Sequence, residues 1–345
     1  MNRTALFILS VVVSALASFH AAAAADPCEH LRQLDWIIGE WDGEYVLPND
    51  VGPFPTGTVV TQCVEVRWMF DDQFIFWHIS MEADGRSADV RREITGWDHE
   101  AKVLRHWGFG MTGRGEGTCK PTDDGLEILW SVVGATGTRT GTGHLRRVDE
   151  ITLVVQQRGI TVNGEAVADL PPVTFRRRIG PAPDPRDESY AVPPPEVHKH
   201  FHYFVGDWEV RGNVDEEEFV AEYSYDWTPG GHVLVYHWHG GFGATRVHGS
   251  AMVGWDSKAR QVVDTGFVRE LGWRVVRYTP HEAEAWKGET VGVIWGEPVR
   301  AGVELQIIDA DHFVITSSAA PNNPRQEYRF FRVIGEEASD LDNSR

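Results

Sequence analysis

A chain that writes one passage twice is constrained to fold as two copies of one unit. Here Leu34-Asp35-Trp36-Ile37-Ile38-Gly39-Glu40-Trp41 returns as Phe201-His202-Tyr203-Phe204-Val205-Gly206-Asp207-Trp208, 167 residues further on. At most positions apolar meets apolar or aromatic; Gly meets Gly, acid meets acid and Trp meets Trp. Trp68 then pairs with Trp227, and Phe74-Ile75-Phe76-Trp77-His78 with Val233-Leu234-Val235-Tyr236-His237, both at an offset of 159. Gly96-Trp97-Asp98 pairs with Gly254-Trp255-Asp256 at 158. Matches that keep one order while their offset drifts are what duplication followed by loop trimming produces. The chain reads as two copies of one domain.

Within each copy the periodicity switches at the Gly-acid-Trp motif. Residues 26–38 place Leu31, Leu34, Ile37 and Ile38 at helical spacing behind Asp26 as a cap. Gly39 ends that helix and a strand opens over 41–46. Further strands are expected over 58–70, 73–81, 87–97, 103–108, 126–133, 137–146, 151–157 and 173–178. Asp84-Gly85, Asp123-Asp124-Gly125 and Asn163-Gly164 are among the hairpin signals between them. One short helix followed by eight or more antiparallel strands in ~150 residues predicts a closed up-and-down barrel. Trp41 and Trp208 would each plug one barrel end against the helix, with Gly turning the corner.

Pro181, Pro183, Pro185 and Pro193-Pro194-Pro195 mark a linker, because Pro blocks ladder bonding and favours extended chain. The expected organisation is a signal segment over 1–25, one barrel over 26–180, the linker over 181–196, a second barrel over 197–335 and an acidic tail over 336–345. Arg3, the apolar run from Ala5 to Phe19 and the small residues Ala21 to Ala25 carry the signal reading. That run is shorter than the about 20 residues a membrane span needs. The mature chain is expected to be secreted or periplasmic, with no membrane insertion. The net charge of the whole chain, −19, repels phosphate backbones, so no nucleic-acid partner is expected. Cys28, Cys63 and Cys119 permit one disulfide and leave one thiol over, with the pairing open. None of the three recurs in the second copy, so the shared fold does not depend on them.

Glu196-Val197-His198-Lys199, Phe204-Val205-Gly206-Asp207-Trp208-Glu209-Val210, Pro229-Gly230-Gly231-His232 and Val253-Gly254-Trp255-Asp256 together resemble an uncharacterised bacterial family of calycin-like β-barrels, known only as a domain of unknown function. The likeness covers nearly all of the second copy and, less closely, the first. It implies an all-β fold of two tandem calycin-like (lipocalin- or nitrobindin-like) antiparallel barrels and is nearly silent on activity. Gly39-Glu40-Trp41-Asp42-Gly43 is more distantly similar to the G-x-W-x-G opening of nitrobindins, which bind haem through a late His. Val210 stands where the second copy would need Gly, and His144 and His312 sit in no matching motif. No haem ligand is carried over, and the cofactor is left unknown.

The strand over 73–81 puts Phe74, Phe76, His78 and Ser80 on one face and Ile75, Trp77 and Ile79 on the other. Its counterpart sets Val233, Val235, His237 and His239 against Leu234, Tyr236 and Trp238. A His that recurs on an otherwise apolar face reads as part of a pocket wall or as a hydrogen-bonded core residue. Phe74, Phe76, His78, Val235, His237 and His239 are therefore candidate ligand-binding residues, with His78 and His237 expected to be buried and to point into their own barrels. Because the opposite face is apolar as well, the two barrels are expected to pack as a pseudo-dimer. His106 and Asp264 share one matched strand position and complete the candidate set. His198, His200 and His202 have no histidine counterparts in the first copy and read as a solvated helix face; no metal site is expected. Asp98 and Asp256 read as turn residues, and Gly108 to Gly113 as a chance G-x-G-x-x-G outside any βαβ unit.

These readings converge on an exported tandem barrel that binds a small apolar or aromatic molecule in its cavity. The alternatives are a barrel-cavity enzyme (isomerase, hydratase or lyase) with His78 or His237 as general base, a haem protein, and a structural pseudo-dimer.

Overall fold

A strand with apolar residues at alternate positions must bury one face, and a twisted sheet whose first and last strands meet leaves no edge unpaired. The computed structural model shows this solution twice. It describes residues 27–69, 74–98, 101–178, 199–214, 217–228, 231, 233–268, 272–280, 284–294, 297–319 and 326–333. The stretches expected to be signal (1–25), linker (181–196) and acidic tail (336–345), and His198, lie outside the described residues. In the first copy the strands are β1 (Gly39–Val46), β2 (Val59–Met69), β3 (Phe74–Ala83), β4 (Arg86–Asp98), β5 (Val103–Gly110), β6 (Gly113–Thr122), β7 (Gly125–Gly134), β8 (Gly137–Arg147) and β9 (Thr152–Val162). They pair antiparallel in sequence order, and β11 (Val173–Arg177) slots between β9 and β1 to close a ten-stranded ring. The two-residue β10 (Glu165–Ala166) only extends β9.

The second ring runs β12 (Gly206–Val214), β13 (Glu217–Trp227), β14 (Leu234–Phe242), β15 (Thr245–Asp256), β16 (Gln261–Val268), β17 (Gly272–Pro280), β18 (Ala285–Ile294), β19 (Glu297–Asp309), β20 (His312–Ala319) and β21 (Gln326–Arg332), and β21 closes on β12. Among the described residues no helix is long and apolar enough to cross a membrane.

Local chemistry sets the corners. Asp84 and Asn163 adopt left-handed φ of 52° and 54° before Gly85 and Gly164, making the two-residue turns that the right-handed strand twist favours. Asp98 and Asp256 do act as turn residues, accepting from the backbone N–H groups of Ala101 (3.0 Å) and Ala259 (2.9 Å). Besides the two-residue β10, one strand was not foreseen: β6 carries Gly113, Gly115, Gly117 and Pro121, a composition that argues against a strand. Gly115 answers to space inside the barrel, since a Cβ there would lie 1.4 Å from the Arg91 guanidinium, while Cβ atoms on Gly113 and Gly117 would strike the Val133 and Leu129 carbonyls of the next strand at 2.1 and 2.0 Å.

The repeated motif builds the same lock in both copies. A helix, α1 (Pro27–Arg32), and a 3₁₀ turn over Asp35–Ile37 drop Leu31, Leu34 and Ile37 onto the core at one end of the first barrel. Trp41 reaches back and donates its indole N–H to the Ile37 carbonyl at 2.8 Å; Trp208 does the same to Phe204, also at 2.8 Å. Arg177, on the closing strand, lies 4.3 Å over the Trp41 ring and donates to the Ile38 (2.6 Å) and Trp36 (3.0 Å) carbonyls. Arg332 lies 4.3 Å over Trp208 and donates to Val205 (2.7 Å) and Tyr203 (2.6 Å). Gly39 and Gly206 hold φ of +138° and +115°, and a Cβ on Gly39 would strike Arg177 at 2.2 Å. Glycine at that corner is a steric requirement.

The copies meet through one aromatic cluster. Phe74, Phe76, Ile94, Trp107 and Phe109 of the first copy are buried with Val233, Met252, Val263, Phe267 and Val275 of the second. Phe267 packs edge-on against Phe74 (5.0 Å) and Trp107 (5.4 Å), and Arg105 lies 5.6 Å over Trp273. Gly254 leaves room for the Phe109 ring, which a Cβ would approach to 2.1 Å. At the rim Arg114 sits 3.6 Å from Asp256, and Lys258 donates to Thr138 at 3.1 Å.

Two stability measurements test this account. Trp208→Phe keeps a smaller aromatic ring but leaves the Phe204 carbonyl unpaired, and is expected to destabilise the second barrel by at least about 1–2 kcal/mol in urea unfolding; an unchanged midpoint would show that the lock contributes nothing. Phe267→Ala is expected to cost about 3–5 kcal/mol and to split one unfolding transition into two as the barrels uncouple.

Candidate functional site

The sides of β3 and β14 are opposite to those expected. Ile75 and Trp77 belong to the core of the first barrel, while Phe74 and Phe76 face outward into the cluster between the copies. Likewise Leu234 and Tyr236 face inward, and Val235 packs against the inter-barrel cluster. His78 therefore does not point into its barrel. Its Nε2 lies 3.3 Å from Asp89 and its Nδ1 3.7 Å from Glu65, on the outer wall. Burial depresses its pKa, and the two carboxylates outweigh burial and raise it. His237 is exposed, 2.9 Å from the Ser250 hydroxyl, and His239 is 71% exposed beside Glu222. The expectation of inward histidines fails because both faces of these strands are apolar, so alternation carried no sign. His106 and Asp264 do face the interiors.

A bulge in β4 decides what joins His106. Ile79 pairs with Arg91 but Ser80 pairs with Asp89, so Val90 is extra. Without it Asp89 and Arg91 would share a face; with it Asp89 turns out to His78 while Arg91, Glu93 and Thr95 turn in. Trp77 donates its indole N–H to the Thr95 hydroxyl at 3.0 Å. Thr95 lies 3.1 Å from His106 Nδ1, and His106 Nε2 lies 2.8 Å from a Glu93 oxygen. The other Glu93 oxygen pairs with Arg91. The Thr95 hydroxyl thus meets both the indole N–H and Nδ1, and His106 Nε2 faces the carboxylate. Burial pushes the Glu93 carboxyl up, but the charges and hydrogen bonds of His106 and Arg91 overcome it and hold the pKa at about 2. Nearby, burial, reinforced by the Glu93 charge, pushes the Cys119 thiol far up, so it stays protonated and is no nucleophile. Cys63 and Cys119 are both free and buried, and so are not joined to each other; the side chain of Cys28 lies outside those described.

These residues stand at the throat of a two-part chamber. The deep part, about 140 Å³, is walled by apolar groups including Trp41, Val64, Val66, Trp77 and Phe175. The outer part, about 310 Å³, is bordered by Arg91, Arg139, Thr112, Trp130 and Leu170. Ile79, Glu93, His106, Ile128, Leu145 and Gln157 line both. Among the described residues no group of three His, Cys, Asp or Glu could hold a metal ion.

The second barrel is filled differently. Tyr236 donates to Asp264 at 2.9 Å, and Arg274 donates to the Tyr236 oxygen at 2.7 Å. Tyr223 stacks on Trp238 with centroids 5.5 Å apart, and Tyr225 lies 4.5 Å from Tyr236. Strand pairing equates Arg91 with Gly249 and Gly115 with Arg274. Each barrel thus keeps one interior guanidinium beside a carboxylate, but hangs it from a different strand.

Reading the sequence missed Arg91, Glu93, Thr95, Arg139 and Gln157. The alternation Arg91-x-Glu93-x-Thr95 was the available signal, but the bulge that turns it inward has no sequence mark.

Fold and site define a tandem β-barrel protein with a polar-throated chamber in its first barrel. No protein-family model matches the chain, and no curated protein is similar to it. Among solved structures it is similar to a DUF3598-family protein of unknown function from Nostoc punctiforme, at 9% identity over 88% of this chain and 99% of that one, with a TM-score of 0.20. A candidate outer membrane protein from Bacteroides fragilis matches at 11% identity over 86% and 98%, TM-score 0.21. The Acinetobacter baumannii outer membrane protein Omp33 matches at 8% over 85% and 96%, TM-score 0.15. Superposition this loose carries no argument about activity.

Glu93→Gln removes the charge shared by Arg91 and His106 and is expected to destabilise the first barrel by about 3–5 kcal/mol. Because the folded-state pKa lies below the ordinary 4.5, the wild-type contribution is complete above about 4.5 and vanishes as pH falls toward about 2. Urea unfolding at about pH 6 and about pH 3 checks the sign: the variant should lose less stability than wild type between the two.

Proposed function

We propose that this is an exported binding protein, built of calycin-like barrels, that takes a small apolar or aromatic molecule into the chamber of its first barrel. The observation that carries the reading is the chamber itself: a deep apolar pocket reached past a few fixed polar groups, the usual composition of small-molecule sites. Ligand contact falls to His106, Trp77, Ile128 and Leu145. The calycin-like character rests on the sequence motifs, and export to the periplasm or beyond rests on the signal-like segment over 1–25.

Catalysis is the weaker reading. A general base needs a free lone pair within reach of substrate, and both nitrogens of His106 are already engaged. The same engagement leaves it unable to serve as an axial haem ligand.

The test uses N-phenyl-1-naphthylamine, an apolar arene whose fluorescence rises on leaving water. The full-length mature chain is expected to bind one equivalent saturably. Leu145→Trp, which fills the chamber where its two parts join, should weaken binding at least about tenfold, whereas Tyr236→Phe in the second barrel should not. Undiminished binding by Leu145→Trp refutes the proposal. Mass spectrometry of protein purified from its native host would then identify the physiological occupant.

A further inference from the structure

Among the described residues, one charged group bordering the chamber has no ion-pair partner. Arg91 is paired with Glu93, and Glu93 is shared with His106. Glu116 is held by Arg114 at 2.8 Å. Arg139, on β8, borders the outer part of the chamber with its Nε buried and no hydrogen-bond partner. Among the described residues nothing carrying negative charge is paired with it. A guanidinium N–H withdrawn from water without an acceptor is costly, and the half-buried guanidinium of Arg139 is suited to an oxyanion that accepts two parallel hydrogen bonds. On the neighbouring strand Gln157 offers a second donor. Its oxygen accepts the Trp130 indole N–H at 2.6 Å, and because indole only donates, the amide of Gln157 must present its NH₂ to the chamber it lines.

Resting on the binding reading above, we infer that the occupant is an amphipathic organic anion, its carboxylate or sulfonate seated on Arg139 and its apolar body passing Gln157 into the deep pocket. The polarity of the chamber supports this direction, since the deep part is apolar and the unpaired cation lies in the outer part. A chain with net charge −19 does not draw anions by its overall field. Selection for an anion must therefore come from this local contact.

Two probes that differ only by a sulfonate separate the contributions: N-phenyl-1-naphthylamine and 8-anilinonaphthalene-1-sulfonate, each titrated into the full-length mature chain. The wild type should prefer the sulfonate by at least about tenfold, the scale of a hydrogen bond to a charged partner. Arg139→Gln should abolish that preference by weakening the sulfonate at least about tenfold, with a much smaller change for the neutral probe. Arg139→Lys, which keeps the charge, should retain part of it. Equal affinities in the wild type, or a loss of both probes together in a folded Arg139→Gln, overturns the inference. If Arg139→Gln does not fold, the wild-type ratio and the lysine variant still decide. Failure of the binding reading looks different: both probes then bind Leu145→Trp as they bind the wild type.

Discussion

The architecture depends on an arginine from the last strand lying over a tryptophan from the first. In each copy that contact closes the ring, caps one end and ties down the segment that enters the barrel. Arg177 and Arg332 each cover an indole at 4.3 Å and donate to two carbonyls that would otherwise be left at the end of a short helical turn. The indoles, in turn, satisfy the carbonyls of Ile37 and Phe204. Backbone groups buried at a barrel end need partners, and the lock supplies them. It also explains the repeated Gly-acid-Trp: any Cβ at Gly39 would displace the arginine.

A second constraint comes from tandem packing. Strands β3 to β5 are buried on both sides, by their own barrel core and by the other copy. Such strands lose the polar face that usually tells inside from outside. The residues that stayed polar on the outer wall, His78, Asp89, Glu65 and Arg92, pair among themselves at the edge of the aromatic cluster. Duplicated units that keep a shared apolar face can diverge inside, and these have. The first barrel keeps a chamber and a hydrogen-bonded chain from Trp77 to Arg91. The second packs tyrosines and tryptophans around Asp264 and Arg274. An interior charge pair was retained in both while its positions moved, which points to selection for a satisfied buried pair rather than for particular residues.

Much of this was legible in the residues. The repeat required two like domains, alternation and Asp-Gly or Asn-Gly turns required antiparallel strands, and the motif Trp was read correctly as an end plug. His106 and Asp264 were picked out because they share a matched position, and both lie inside. The glycine-rich β6 was not legible, because Gly115 makes room for the Arg91 side chain and Gly113 and Gly117 let the backbone of the next strand approach, needs that arise only in the folded barrel.

By itself, then, the sequence determined the duplication, the strand periodicity, the turns and the residues that must share a face. Only the tertiary structure decided which face is the interior. A period of two sets residues on opposite sides without saying which side is which, and where both sides are apolar the choice is made by what packs against each. The chamber polarity likewise depends on one extra residue in β4, which reverses the facing of everything before it, and on an arginine left without a partner by strands far apart in the chain.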